Sequence, residues 1–317
     1  MCSFIYIIIN IFGTYLYTYT SPNLQDTHIS YLHYVDFDVS MQTQKYQWII
    51  DRDVNEKEVG LSGATLMNFF RSLYNKYSFN IIKPDQNLRI PKIIHQIWIG
   101  KEVPKELINF QKSWQIMHPT WEYRLWTQHD IPSMQLRNRM YIEQAQNPAE
   151  KADLLRYEIL YQYGGFYVDM DFQSLQPLDT LNYMYDFVIG LQPLDCGLVQ
   201  LGIGLIGSIP GHPLLDKCLN MIEANFNTID KTAGVTVKTG PVYATKIFVQ
   251  YADTDNLRNI ALPAHYFYPL MCRQATCDPH TCLLNGSFGI HHWAKTWNKP
   301  EYRRAQFRSI ESWGTLY

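Results

Sequence analysis

The spacing of apolar and polar residues divides the chain into three stretches. Residues 1 to about 50 mix Tyr, Ile and Val with polar residues in no regular period. Residues 51–88 have a helical period around residues 64–70 and break at Pro84. From Arg89 onward the pattern alternates. Residues 90–100 predict a buried strand that ends at Gly100. A helix from about Pro104 follows, with Leu107, Ile108, Phe110 and Trp114 on its apolar side, and residues 123–126 form a second strand. Alternating strands and helices imply an α/β layer fold with a mostly parallel central sheet. No internal repeat or low-complexity linker interrupts it.

The most sharply specified element is a helix from Pro148 to Tyr163. Asn147 is an N-cap residue, Pro148 suits the first helical turn, and Glu150 sits where a capping-box acid belongs. Gly164 and Gly165 stop the helix. Ala152, Leu155 and Ile159 share one face; Asp153, Arg156, Tyr157 and Leu160 share another. Residues 166–168 then form a short strand delivering Asp169-Met170-Asp171. In extended backbone, residues two apart point the same way, which brings both carboxylates to one side. Hard oxygen ligands at a strand end suit Mn²⁺ or Mg²⁺, an ion useful where a diphosphate must leave.

The D-x-D pattern alone is weak: it recurs at 36–38, 51–53 and 253–255. Only the 169–171 pair follows a capped helix, a glycine stop and an apolar strand, and strand ends in open α/β sheets are where ligands bind. A surface ion pair is the competing reading of Asp153 and Arg156, and core packing that of Trp98. His291 and His292 are neighbours on a strand and face opposite ways, so one at most joins an ion.

Composition narrows the classes. The 317 residues are 46% hydrophobic and 18% charged, which excludes a disordered chain. With 27 basic against 29 acidic residues and no basic block, nucleic-acid binding is not expected. Mean hydropathy is −0.23, unlike a polytopic membrane protein. The first 25 residues carry no charged side chain; their apolar run fits a weak anchor over 4–19, a degraded signal or a buried strand. A cytoplasmic or membrane-associated location is expected over secretion. Cys272, Cys277 and Cys282 surround His280; a zinc knot or local disulfide is conceivable, but free thiols near a loop fit the spacing better. The glycines 202, 204 and 207 fit G-x-G-x-x-G, yet Pro210, Gly211 and Pro213 forbid the helix a dinucleotide site needs. They are read as points of close backbone approach. His212 is read as a turn residue, and Tyr157 and Tyr167 as packing.

Residues 151–157, Leu160-Tyr161 and 164–171 together resemble the sugar-binding DXD region of family 32 glycosyltransferases. That group includes fungal outer-chain mannosyltransferases, bacterial capsule sugar transferases and, more distantly, the glucosylating domains of clostridial toxins. Further blocks match in order: 90–100, His118-Pro119, 121–126, Gly207-Ser208, 211–213, Thr239-Gly240-Pro241 and 290–293 with Trp297. The resemblance implies a GT-A type nucleotide-sugar-binding sandwich over residues 89–317, with residues 1–88 as an extension that has no match. It implies transfer of a hexose, with retention, from a GDP- or UDP-sugar to a hydroxyl of a glycan, lipid or protein, and Mn²⁺ or Mg²⁺ as cofactor. By the same resemblance Trp98 stacks on the donor base, Asp153 and Arg156 hold donor sugar and phosphate, and Gly165 belongs to the donor-binding block. Asp169 and Asp171 are the catalytic, metal-binding pair, which His291 completes. Ile203 departs from the asparagine many relatives carry. The competing classes are a glycosidase, which needs two carboxylates across a cleft, and a non-catalytic carbohydrate-binding protein, suggested by the 15% aromatic content.

Overall fold

The computed structural model describes residues 14–17, 30–230, 232–253 and 256–294. The central layer is a six-stranded sheet. Its strands are β3 (Ile93–Trp98), β4 (Glu122–Thr127), β5 (Gly165–Val168), β7 (Phe187–Leu191), β8 (Leu201–Ser208) and β9 (Asn259–Leu262), in spatial order β4-β3-β5-β8-β7-β9. β8 alone runs antiparallel to its neighbours β5 and β7; the other pairings are parallel. This is the mostly parallel α/β sheet the alternating pattern predicts. Two small antiparallel pairs stand apart: β1 (Thr14–Tyr17) with β2 (Ser30–His33), and β6 (Phe172–Ser174) with β10 (Gly289–His291).

The strand expected over 90–100 is shorter at both ends. Pro91 has no N–H to give a ladder, and Ile90 is instead held through its N–H by the Asn182 carbonyl. All eight residues of β8 are buried, as are all of β5, β7 and β9. Such strands are covered on both faces, which explains their continuous apolar runs.

The helical stretch expected around 64–70 is the helix Gly63–Tyr77, capped by the Ser62 hydroxyl, which accepts from the Thr65 N–H at 3.2 Å. Its Leu66, Phe70 and Tyr74 are fully buried in the same core cluster as the sheet. Phe70 meets Phe248 of the helix Pro241–Tyr251, with ring centroids 6.1 Å apart.

The cysteine expectation needs one correction. Cys272 is not a free thiol: it is bridged to Cys196, 76 residues earlier. Cys277, Cys282 and Cys218 are free. Most of the apolar run at 4–19 lies outside the described residues. Among the described residues no helix is long and apolar enough to cross a membrane.

Candidate functional site

The helix Pro148–Tyr163 forms with the expected bounds. The Asn147 side chain accepts from the Ala149 N–H at 2.9 Å. At the other end, Gly164 takes φ +63°, ψ −157° and Gly165 φ +88°. The first of these is a conformation essentially closed to other residues. The glycine stop is therefore an abrupt reversal into β5. His95 of β3 secures it: its Nε2 donates to the Gly164 carbonyl at 2.9 Å, and its Nδ1 accepts from Trp126 Nε1 at 3.2 Å. Burial pushes the His95 pKa down to about 4, so the ring stays neutral and keeps this arrangement.

β5 ends at Val168, and Asp169 to Asp171 form a turn rather than extended backbone. The Phe172 N–H closes the turn on the Asp169 carbonyl at 3.1 Å. The carboxylates still converge, through a partner from far along the chain. β10 pairs antiparallel with β6, setting His291 opposite Phe172. From there His291 Nε2 lies 3.2 Å from Asp171 Oδ1 and 3.8 Å from Asp169 Oδ2. The ligand atoms of Asp169, Asp171 and His291 all lie within 4.8 Å of one another. Two carboxylates and an imidazole form a donor set suited to Mn²⁺ or Mg²⁺.

Each ligand is held from behind. Asp171 Oδ2 accepts from the Ala294 N–H at 2.7 Å. Burial opposes ionisation of Asp171, but the charge and hydrogen bond of His291 outweigh it and bring its pKa down to about 2. Burial likewise opposes the charged form of His291, and Asp171 outweighs that too, raising the imidazole above its ordinary value. Asp169 Oδ1 accepts from the Tyr167 hydroxyl at 2.6 Å and lies 3.3 Å from Arg156 Nη1. Burial keeps that hydroxyl protonated and so a donor. Tyr167 is therefore more than the packing residue expected: from β5 its hydroxyl holds the carboxylate of Asp169 just past the strand end.

The surface ion-pair reading of Asp153 and Arg156 fails on burial. Both residues are 4% exposed and 2.8 Å apart. Arg156 also donates to the Ile203 carbonyl at 2.6 Å and lies 4.4 Å from the face of the Tyr167 ring. It thus bridges Asp153, β8 and Asp169. Asp153 accepts from the Thr239 hydroxyl at 3.0 Å. Burial raises its pKa to about 7 against the pull of Arg156. The structure therefore joins Asp153, Arg156, Asp169, Asp171 and His291 into one connected cluster.

Trp98 ends β3 half-buried, packed on the small cluster of Leu107, Phe110 and Met170. Met170 is the middle residue of the acidic turn, so Trp98 packs next to that turn. Trp98 Nε1 has no hydrogen-bond partner among the described residues. Gly165 faces β3: a Cβ there would lie 2.6 Å from the Ile93 carbonyl oxygen. His292, just past β10, stacks its ring on Phe110 at 4.2 Å and places Nε2 3.1 Å from Gln173 Oε1. His212 caps the helix Pro213–Asn220.

The glycines of β8 act by close approach, not by binding a dinucleotide. A Cβ at Gly204 would lie 2.8 Å from Asp169 Oδ2. Tyr268 fills the neighbouring space; its hydroxyl accepts from the Gly204 N–H at 3.1 Å and its ring meets His291 edge-on. Thr239, Tyr268 and the Ala294 N–H escaped the sequence reading as site groups. Thr239 and Trp293 did fall in matched blocks, a signal without a role attached. Of the other D-x-D acids, Asp36 caps the helix Phe37–Met41, Asp38 pairs with Arg71, Asp53 with Lys57 and Asp253 with Lys76.

Residues 104–188 match the family described as glycosyltransferase sugar-binding region containing DXD motif. The chain is 32% identical over 206 residues to inositol phosphoceramide mannosyltransferase 3 of Schizosaccharomyces pombe, covering 60% of this chain and 55% of the relative. It is 29% identical over 195 residues to mannosyl phosphorylinositol ceramide synthase SUR1 of Saccharomyces cerevisiae, covering 58% and 49%. The chain thus spans about half the length of these curated relatives. Among solved structures, the PaToxG glycosyltransferase aligns at 19% identity with a TM-score of 0.44, covering 59% of this chain and 76% of that one. From the helix after β3 to the start of β7, a stretch holding Asp153, Arg156 and both acids of the turn, this chain is similar to the glycosyltransferase sugar-binding region containing the DXD motif.

Proposed function

We propose that this chain is a retaining glycosyltransferase that moves a hexose from a GDP- or UDP-sugar to a hydroxyl acceptor, using Mn²⁺ or Mg²⁺ held by Asp169, Asp171 and His291. The observation that carries this reading is the convergence of those three side chains, contributed by a turn and a strand 120 residues apart in sequence, on one point. A bound ion there supplies neutralisation of the charge on a departing diphosphate.

The protein's own groups do the rest. Tyr167 and Arg156 fix the Asp169 carboxylate, and the Ala294 N–H fixes that of Asp171. Asp153 and Arg156 orient the sugar, which removes rotational freedom before reaction. Trp98, packed beside the acidic turn, offers its indole to the donor base. The acceptor proton passes to the leaving phosphate, so no separate base is assigned. A glycosidase would need two carboxylates facing each other across a sugar cleft; Asp169 and Asp171 instead converge with His291 on one point. The mannosyltransferases among the relatives make mannose the first donor sugar to test.

The test is nucleotide release from a panel of GDP- and UDP-hexoses with Mn²⁺. Wild-type protein is expected to release nucleotide from one donor preferentially, and Asp171→Ala to lose release at least ~10³-fold while its circular dichroism is unchanged. Equal release in the presence of a chelator would remove the metal from the account.

A further inference from the structure

A cleft of about 580 Å³ opens beside the cluster, between the start of the helix Pro148–Tyr163 and the segment leading to Thr239. That volume lies within the roughly 300–1,000 Å³ of small-molecule sites. Its walls carry Gln144, Gln146, Asn147, Glu150, Thr236 and Lys238. None of these belongs to the donor and metal cluster described above.

The cleft adjoins that cluster by two routes. Glu150 and Asp153 are three residues apart on one helix and therefore share a face. Thr236 and Asp153 flank the same glycine: a Cβ on Gly240 would lie 2.9 Å from the Thr236 Cα and 3.3 Å from Asp153 Oδ2. The cleft wall at Glu150 therefore stands one helical turn from Asp153.

The lining selects the ligand. Side-chain amides both donate and accept hydrogen bonds, and so does the Thr236 hydroxyl. A ring bearing several hydroxyls presents the same mixture. A diphosphate would need more positive charge than Lys238 alone provides, and Glu150 offsets Lys238. Glu150 also occupies the first turn of the helix, where it answers the positive end of the helix dipole.

We propose that this cleft is the acceptor subsite and that it takes an uncharged carbohydrate ring; the acceptor role rests on the glycosyl-transfer reading above. The acceptor oxygen forms the new bond to the anomeric carbon. The bond from that carbon to the diphosphate oxygen breaks, its electron pair leaves with the diphosphate, and the acceptor proton passes to the leaving oxygen.

Binding is read without turnover, by saturation-transfer NMR on the whole chain with methyl mannoside, methyl galactoside and methyl glucoside as probes. Wild-type protein is expected to give signal with at least one of them. The double variants Gln146→Ala with Glu150→Ala, and Thr236→Ala with Lys238→Ala, should lose it at least ~5-fold, as expected for the loss of two hydrogen-bonding groups. Glu56→Ala, an exposed position outside the cleft, should keep it. The altered residues are exposed or half-buried, so these variants are expected to fold, which circular dichroism checks. Absence of signal with every probe, signal unmoved in both double variants, or displacement of the sugar by a nucleoside diphosphate would overturn the subsite. Sugar binding lost in the double variants, with no nucleotide released from any donor, would uphold the carbohydrate cleft and overturn the transfer reading instead.

Discussion

Arg156 is the side chain on which most of the site converges. Removing it by Arg156→Met leaves Asp153 buried and unpaired, which should cost about 3–5 kcal/mol in urea unfolding. A loss under 1 kcal/mol would show that Asp153 finds another partner or gives up its charge. The acid–imidazole pair sets the pH behaviour. In the metal-free protein the raised pKa of His291 adds stability that is full below the ordinary imidazole value and is lost as pH rises through the folded-state pKa. The depressed pKa of Asp171 adds stability above the ordinary carboxylate range that is lost as pH falls towards about 2. Metal must displace the His291 proton, so apparent Mn²⁺ affinity should weaken about tenfold per pH unit below the folded-state pKa of His291. His291→Ala should flatten that slope, and calorimetric titration across pH 5–8 measures it. At this scale the acids were legible because a capped helix, a glycine stop and an apolar strand lead into them, and His291 because the family resemblance chose it over His292. Tyr167 was not, because a tyrosine in an apolar strand reads as packing until its hydroxyl is seen on Asp169.

Among the elements, the helix Pro148–Tyr163 was legible to its last residue: Asn147, Pro148 and Gly164 are local signals that tertiary contacts did not override. Its burial was not. The sequence shows an apolar face and a polar face, but β8 and the Thr239–Gly240 segment cover the polar one, so Asp153 and Arg156 lie inside. The turn at 169–171 was also hidden, since it exists because Phe172 restarts a strand whose partner, β10, lies at the far end of the chain. β8 offers a sharp test. Gly204→Ala introduces a methyl 2.8 Å from Asp169 Oδ2 without a positive-φ penalty. Displacing that carboxylate by about an ångström should lower turnover roughly 10²-fold while the thermal midpoint stays close to wild type. Unchanged turnover would mean that Asp169 is not positioned by β8.

For the molecule as a whole, the helix Gly63–Tyr77 shares the core of the sheet, although nothing in the sequence before Arg89 resembles the matched family. The bridge between Cys196 and Cys272 ties the turn before β8 to the segment after Tyr268. The sequence favoured free thiols for Cys272, Cys277 and Cys282, because a pairing across 76 residues leaves no local trace. Replacing both bridged cysteines by serine should cost about 2–4 kcal/mol in denaturant unfolding; no change would show the bridge is not formed in solution. The measurement that bears most directly on the account is Mn²⁺ binding followed by electron paramagnetic resonance, with and without a nucleoside diphosphate. One ion per chain, bound by wild-type protein and lost in both Asp171→Ala and His291→Ala, is the predicted result. Wild-type protein that binds no ion even with the diphosphate present, or variants that bind it as well as wild type, would contradict it.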